Sequence, residues 1–512
     1  MRLDLPVPAP EEMSRDELIV VVRRQAGQLA VQDRQISEMA GQLAQLMEAN
    51  EALAGKLARL EHLLSRNSGN SSNPPSRDDD PGKPAPPDRQ RGRGGPKRPR
   101  GKQRGASGAH LAWTDHPDQR RDRFPEGRCD CGDGLDRARD LGVVDRYQQH
   151  EIPQVAVSVI QYDQHQVVCG CGRLHTAARP AGARSGPVGY GPNLAAFAVY
   201  LMVVHFVPAH RVVALLESLT GTAPSVGFVH GMIGRTAGLL GEVGQRIRTL
   251  ITLAYAVCCD ETPLRVGPRS PAAGKKKAER YLLVACTELY THYLLGDRSL
   301  TTFKASVVAD LAASGSVIVH DRYQNYDSTT FGALVHQLCT AHLLRDLADA
   351  AQVYPDAIWP VQIADALREL IHHANQAREQ GHDTIAVDVR EELLRQLRDG
   401  RAVGLSDTTS HGTRPGERKA RLLLEVLRDR EADVLRFAFD LQVPPTSNQA
   451  ERDLRPSKIQ QKISGRLTSE KRTQDRYTIL GYVSTAAKHG LDKITVLRDA
   501  LTGQPWMPAL PA

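Results

Sequence analysis

The chain has 512 residues, 41% of them hydrophobic, and carries 66 Lys and Arg against 59 Asp and Glu for a formal charge of +7. That length exceeds one ordinary core, so several domains are expected, and the basic balance fits a polyanionic partner without establishing one. No apolar run reaches the length of a membrane helix, the start M-R-L-D-L-P-V-P-A-P-E-E lacks the apolar stretch of a secretory signal, and eight cysteines make no disulfide scaffold in a chain this long, which points to a reducing cytosol.

A coiled coil is expected over residues 14–66. Val22, Leu29, Ile36, Leu43, Asn50, Leu57 and Leu64 take the a positions of a heptad, and Leu18, Gln25, Gln32, Met39, Leu46, Leu53 and Leu60 the d positions. The single a-site Asn50 suits a parallel, in-register homodimer, while Gln25 and Gln32 weaken the first half. Residues 67–108 are a polar, proline-broken linker that cannot bury a core. Within it, Arg89 to Arg104 hold eight basic residues and no acid. Arg91, Arg93, Lys97 and Arg98 therefore read as an arm for a nucleic-acid backbone, or more blandly as a solvated tail.

Residues 109–180 read as a small zinc-binding domain. Cys129-Asp-Cys131-Gly and Cys169-Gly-Cys171-Gly lie either side of a strand-like run, Val155 to Val168. Four thiolates suit one tetrahedral zinc, although C-x-C is tighter than the usual pair spacing and His165 or His175 can replace a cysteine. Residues 186–250 read as helical. P-A-H-R-V-V-A-L-L-E-S-L-T-G followed by T-A-P-S-V-G-F-V-H-G has the rhythm of a helix-turn-helix, a weak signal alone.

Chemistry enters with Y-A-V-C-C-D-E-T-P-L-R-V, an apolar strand that runs into Asp260 and Glu261. Two further strand-like runs lie in Arg280 to Asp297, then a helical piece, then V-I-V-H-D-R-Y-Q-N-Y, another apolar strand ending in an acid, Asp321. H-Q-L-C-T-A reads as a short strand before a helix. Three strands, helix, strand, helix, strand, helix is the order of a ribonuclease H-like α/β core, in which the first and fourth strands are neighbours. Asp260 and Asp321 would then form a hard-cation site for Mg²⁺ or Mn²⁺, two ions per site, and such a site needs a third carboxylate. Glu451 is the candidate. It heads a helical face with Arg455, Lys458 and Lys462, which suits a DNA backbone, yet Asn448 to Glu451 also fits a capping box. Glu261 points away from Asp260 by strand alternation and is expected to matter much less. Cys339-x-x-His342 reads as a packed cysteine and a helix-start histidine. Long helical patterns over 351–440 read as an insertion between the first part of the core, 251–350, and its completion, 441–512.

Together the zipper, N-S-S-N-P-P-S, the cysteine pairs, D-E-T-P, H-D-R-Y-Q-N-Y, C-T-A-H-L-L-R-D-L and S-N-Q-A-E-R-D-L-R-P resemble the insertion-sequence-66-type transposases over nearly the whole length. The resemblance implies a DDE triad on Asp260, Asp321 and Glu451. It also implies 3′-end cleavage of a mobile element with water, joining to target DNA by transesterification, and a place on the nucleoid in the bacterial cytoplasm. Two features depart from the family: C-x-C where C-x-x-C is frequent, and K-I-S-G-R-L-T-S-E-K-R after the Glu helix where the family has an R-K-N-W-like run. The expected architecture is multidomain α+β: a ribonuclease H-like core with a helical insertion, preceded by coiled coil, zinc domain and helical DNA-binding region. A catalytically inactive or domesticated DNA-binding regulator is the alternative, and a coiled-coil scaffold a third reading that leaves the acids unexplained.

Overall fold

The computed structural model describes residues 14–64, 111–152, 155–183, 186–270, 279–409 and 416–510, so Arg91, Arg93, Lys97 and Arg98 lie outside the described residues. The chain divides into two compact units, one of residues 87–162 and 215–223 and one of the remainder. Helix α1 (Arg15–Leu64) runs unbroken for 50 residues. Its heptad residues Val22, Leu29 and Met39 are exposed, as are Ile19, Val20 and Val31 outside the expected seam.

The strand-like run Val155 to Val168 forms a strand only at its end. Strand β1 (Gln166–Val168) pairs antiparallel with β2 (Leu174–Thr176), and the hairpin holds Cys169 and Cys171 at its tip. Alternating apolar residues make a strand only where a partner takes up the backbone hydrogen bonds. Helices α2 (Pro192–Val203), α3 (Ala209–Thr220), α4 (Val226–Leu239) and α5 (Gly241–Thr252) follow. The Ser-started helix is as expected: the Ser225 hydroxyl accepts from the Phe228 N–H at 3.1 Å.

A five-stranded mixed sheet is the centre of the larger unit. Strands β3 (Ala256–Leu264), β4 (Arg280–Cys286) and β5 (Thr291–Gly296) form an antiparallel meander. Helices α6 (Leu300–Ala305) and α7 (Val307–Ser314) lead to β6 (Val317–His320), which returns parallel to β3 on its free side. The last strand, β7 (Val335–Leu338), lies parallel beyond it. The spatial order is β5-β4-β3-β6-β7. Val257, Cys258, Cys259, Val317, Ile318 and Val319 are all buried, the two-sided burial that lets these short runs be almost wholly apolar.

Helix α8 (Thr340–Val353) opens a helical segment continued by α9 (Trp359–Glu379), α10 (Val387–Asp407), α11 (Glu417–Asp429) and α12 (Glu431–Phe439). These share a core around Trp359, Leu367, Leu370, Leu394, Leu424 and Phe437. The chain then returns to the sheet with α13 (Asn448–Ile463), which packs on β3 and β4, and α14 (Glu470–Lys488), which packs on β5. Helix α15 (Lys493–Leu501) packs on α2. Among the described residues no helix is long and apolar enough to cross a membrane.

Candidate active site

Asp260 is not at the end of its strand. β3 pairs with β4 past it, through Asp260↔Val284 and Glu261↔Leu283 to Leu264↔Arg280, whereas its pairing with β6 stops at Cys258↔Val319. Two residues beyond that last pair come Asp260 on one strand and Asp321 on the other. The register therefore sets the two acids side by side where the strands part, on chains that run about 4.8 Å apart while paired. Asp260 Oδ1 accepts from the Glu261 N–H at 2.8 Å and Asp321 Oδ1 from the Tyr323 N–H at 3.0 Å.

Helix α13 sets Glu451 against α8. The N-terminus of α8 holds the segment before it: the Thr340 N–H and hydroxyl donate to the Pro445 carbonyl at 3.0 and 2.9 Å, and the Ser447 N–H donates to Cys339 Sγ at 3.2 Å. Two residues after Glu451, the buried Asp453 carboxylate accepts from Lys488 Nζ at 2.7 Å and from the Thr291 hydroxyl at 2.8 Å, while the Tyr293 hydroxyl donates to the Asp453 carbonyl. The capping box does not form: Ser447 is the N-cap, without a side-chain cap bond, and Asn448 is the first helical residue. Glu451 instead turns to α8, accepting from Arg345 Nη2 at 2.9 Å with His342 Nε2 at 3.8 Å. Arg455, Lys458 and Lys462 are exposed on the same helix.

Burial pushes the Asp260 carboxyl up to about 6, the charge of Asp321 adds to this, and Glu451 contributes in the same sense against His342. The carboxylate oxygens of Asp260, Asp321 and Glu451 are not all within 4.8 Å of one another. Among the described residues, the one trio of His, Cys, Asp or Glu side chains with ligand atoms all within 4.8 Å of one another is His320, Asp327 and His336.

Glu261 does lie on the other face, as alternation requires, but it is no bystander. Its fully buried carboxylate accepts from Arg298 Nη2 at 2.8 Å and from the Tyr326 hydroxyl at 3.2 Å. Arg298 is stacked on Tyr281 and Tyr323, and its carbonyl accepts from Tyr323 and Asn325. The loop that begins at Asp321 is thus tied to β3 through one buried ion pair. Burial first, then Asp321, pushes the Glu261 carboxyl up to about 7. Glu261→Ala is expected to lower the unfolding free energy by about 1–3 kcal/mol. This is below the roughly 3–5 kcal/mol for breaking a fully buried pair, because Arg298 is 37% exposed. Urea denaturation measures it; a change under about 0.5 kcal/mol, the level of an ordinary surface substitution, would refute the tie.

Sequence reasoning missed Arg298, Arg345 and the role of His342. The i, i+3 spacing of His342 and Arg345 at the start of a helix was the available signal, and only the return of α13 gives that face a partner. Cys339 is packed as expected, 1% exposed, and His342 lies in the first turn of α8. The two cysteine pairs, each taken by itself, are built alike. Cys129 N–H donates to the Asp133 carbonyl and Gly132 N–H to that of Cys129, just as Cys169 N–H donates to Arg173 and Gly172 N–H to Cys169, all at 2.8–2.9 Å. Gly132 and Gly172 have φ of 99° and 80°, which a side chain would strain. The Cys131 N–H lowers the Cys129 thiol and the Cys171 N–H that of Cys169. All four thiols are exposed.

A mixed sheet whose two central parallel strands part at a pair of acids is the centre of the larger unit. The profile of the IS66 family of transposases matches residues 188–475, more than half of the chain, and the protein belongs to that family. A second profile, a family of unknown function termed DUF6444, matches residues 25–112. No curated protein matches the chain.

Proposed function

We propose that the protein cleaves the 3′ ends of its mobile element and joins them to target DNA through Asp260, Asp321 and Glu451. The observation that carries this is the register of β3 and β6, which aligns the two aspartates, with α13 bringing Glu451 into their field. The strand order β5-β4-β3-β6-β7 supports a ribonuclease H-like core, 251–350 and 441–512, with 351–440 as its helical insertion.

The residues fit hard divalent cations: two adjacent acids on parting strands, one of them lifted by burial and by its neighbour, want positive charge between them. Asp260, Asp321 and Glu451 would hold Mg²⁺ or Mn²⁺, two per site, which when bound supply the charge that stabilises the attacking and leaving oxygens of an in-line displacement. The chain's own work is to orient. Lys488 and Thr291 fix α13 through Asp453, Arg345 holds the Glu451 carboxylate, and the Glu261–Arg298 pair fixes the loop after Asp321. Arg455, Lys458 and Lys462 present cations to the DNA backbone, with Arg91, Arg93, Lys97 and Arg98 as a further arm whose contribution falls with salt.

Cys129, Cys131, Cys169 and Cys171 are proposed ligands of one structural Zn²⁺, on the likeness of the two pairs. Residues 14–66 are the proposed dimer element, and deleting residues 1–66 is expected to give a monomer by light scattering; an unchanged mass would place the interface elsewhere. The chain would act on element ends and target DNA in the bacterial cytoplasm, on the nucleoid. Nicking of supercoiled plasmid bearing the element ends, with Mg²⁺ and without, tests the chemistry. No nicking under any divalent cation would leave the DNA-binding regulator as the reading.

A further inference from the structure

We infer that His320, Asp327 and His336 form a second metal site, for Zn²⁺ or a similar borderline transition ion, separate from the Asp260–Asp321–Glu451 group. His320 ends β6, His336 stands on the neighbouring strand β7, and Asp327 is in the loop between them. The ligand atoms of the three lie within 4.8 Å of one another. His320 Nε2 and His336 Nδ1 are 3.0 Å apart. Two nitrogens at about 2.0–2.1 Å from a tetrahedral ion stand roughly 3.3–3.4 Å apart, so an ion replaces the imidazole hydrogen bond with a movement of a few tenths of an ångström.

The surroundings suit that ion. His320 is wholly buried, while Asp327 is exposed and His336 half-buried beside a cleft of about 490 Å³ whose wall includes Phe331 and Arg430, so an ion has a path to the pair. Arg430 is the cation that argues against a metal. Its Nη1 lies 3.0 Å from Asp327, but its Nε donates to the Asp433 carboxylate at 2.9 Å. Arg436 also lies 3.5 Å from Asp433 and donates from Nε to the His336 carbonyl, so two guanidiniums balance two carboxylates here, and Arg430, divided between Asp327 and Asp433, orients Asp327 as outer partners of metal ligands do. Two imidazoles and one carboxylate favour Zn²⁺, Co²⁺ or Ni²⁺ over Mg²⁺, which takes oxygen ligands. His320 precedes Asp321 directly, so an ion here would clamp the two ends of the 321–335 loop that carries that acid. The site does not depend on the triad's chemistry.

The test is zinc content of the full-length protein after exposure to Zn²⁺ and desalting, with Co²⁺ as a spectroscopic probe. Asp327→Asn with His336→Gln, the first exposed and the second half-buried, is expected to hold one zinc fewer per chain than wild type. Asp260→Asn is expected to hold the wild-type amount, which separates this site from the proposed catalytic one. The Co²⁺ difference spectrum, wild type minus the double variant, should show visible d–d bands of a nitrogen and oxygen set without thiolate-to-metal charge transfer. The cysteine pairs cancel in that difference. Equal zinc in wild type and the double variant, with circular dichroism showing both folded, would overturn the site and leave a hydrogen-bonded pair of neutral histidines. A thiolate signature in the difference would overturn it as well.

Discussion

Asp260→Asn, Asp321→Asn and Glu451→Gln are each expected to reduce strand cleavage and joining by about 10³-fold or more while element-end binding stays near wild type. Each substitution keeps the shape and one carbonyl oxygen and removes one negative charge. Metal stabilisation of a phosphoryl transition state is worth several kcal/mol, and about 4 kcal/mol is roughly 10³ in rate. Binding rests on other groups, the exposed Arg455, Lys458 and Lys462 and the arm at residues 89–104. Glu451→Gln still offers Arg345 an acceptor, so α13 should keep its place. Glu261→Gln is the informative control. It touches Arg298 and Tyr326 rather than the other acids, and it is expected to cut Tm more than it cuts cleavage measured at low temperature. A gel shift beside a cleavage assay on end DNA makes the comparison. Cleavage above a tenth of wild type in any of the three, or binding lost along with cleavage, would remove that residue from the proposed triad.

Much of this could be read from the residues because burial and register are written in period and punctuation. Short apolar runs leading into acids located β3 and β6, although β3 continues past its acids, and the order of elements set the two strands side by side. The basic stripe after Glu451 likewise follows from helical spacing alone. What could not be read is whatever depends on a distant partner. The capping box at Asn448–Glu451 is as good a local pattern as the site reading. It fails because α8 captures Ser447 and Arg345 captures the Glu451 carboxylate, contacts more than 100 residues apart in sequence. Alternation put Glu261 on the far face correctly, but could not say that Arg298 and Tyr326 wait there. The run from Val155 has strand composition but pairs only over its last three residues, since pairing is decided by what lies beside it.

Without divalent metal, the fold is expected to lose stability as pH rises from about 5 to 8, and Mg²⁺ is expected to restore it chiefly at the upper end. Asp260 is lifted to about 6 and Glu261 to about 7 from ordinary values near 4. A carboxyl with a raised folded value holds its proton more tightly folded than unfolded. Its contribution is therefore full below the unfolded value and lost as pH passes the folded one, here between about 4 and 7. For Asp260 the displacement corresponds to about 3 kcal/mol. The groups that face Asp260 are Asp321 and Glu451, which oppose its ionisation, and His342, which favours it. A cation between the acids reverses the first two effects, and at pH 5.5 a protonated Asp260 leaves it less to do. Thermal unfolding at pH 5.5 and 8.0, with Mg²⁺ and with chelator, should therefore show a Mg²⁺ gain of several degrees at pH 8.0 and a small one at pH 5.5. Asp260→Asn has no such charge to relieve. It should be more stable than wild type in chelator at pH 8.0 and respond little to Mg²⁺, even though it cannot cleave. An equal Mg²⁺ gain at both pH values, or the same gain in Asp260→Asn, would place the ion elsewhere and leave the adjacent acids without the role proposed for them.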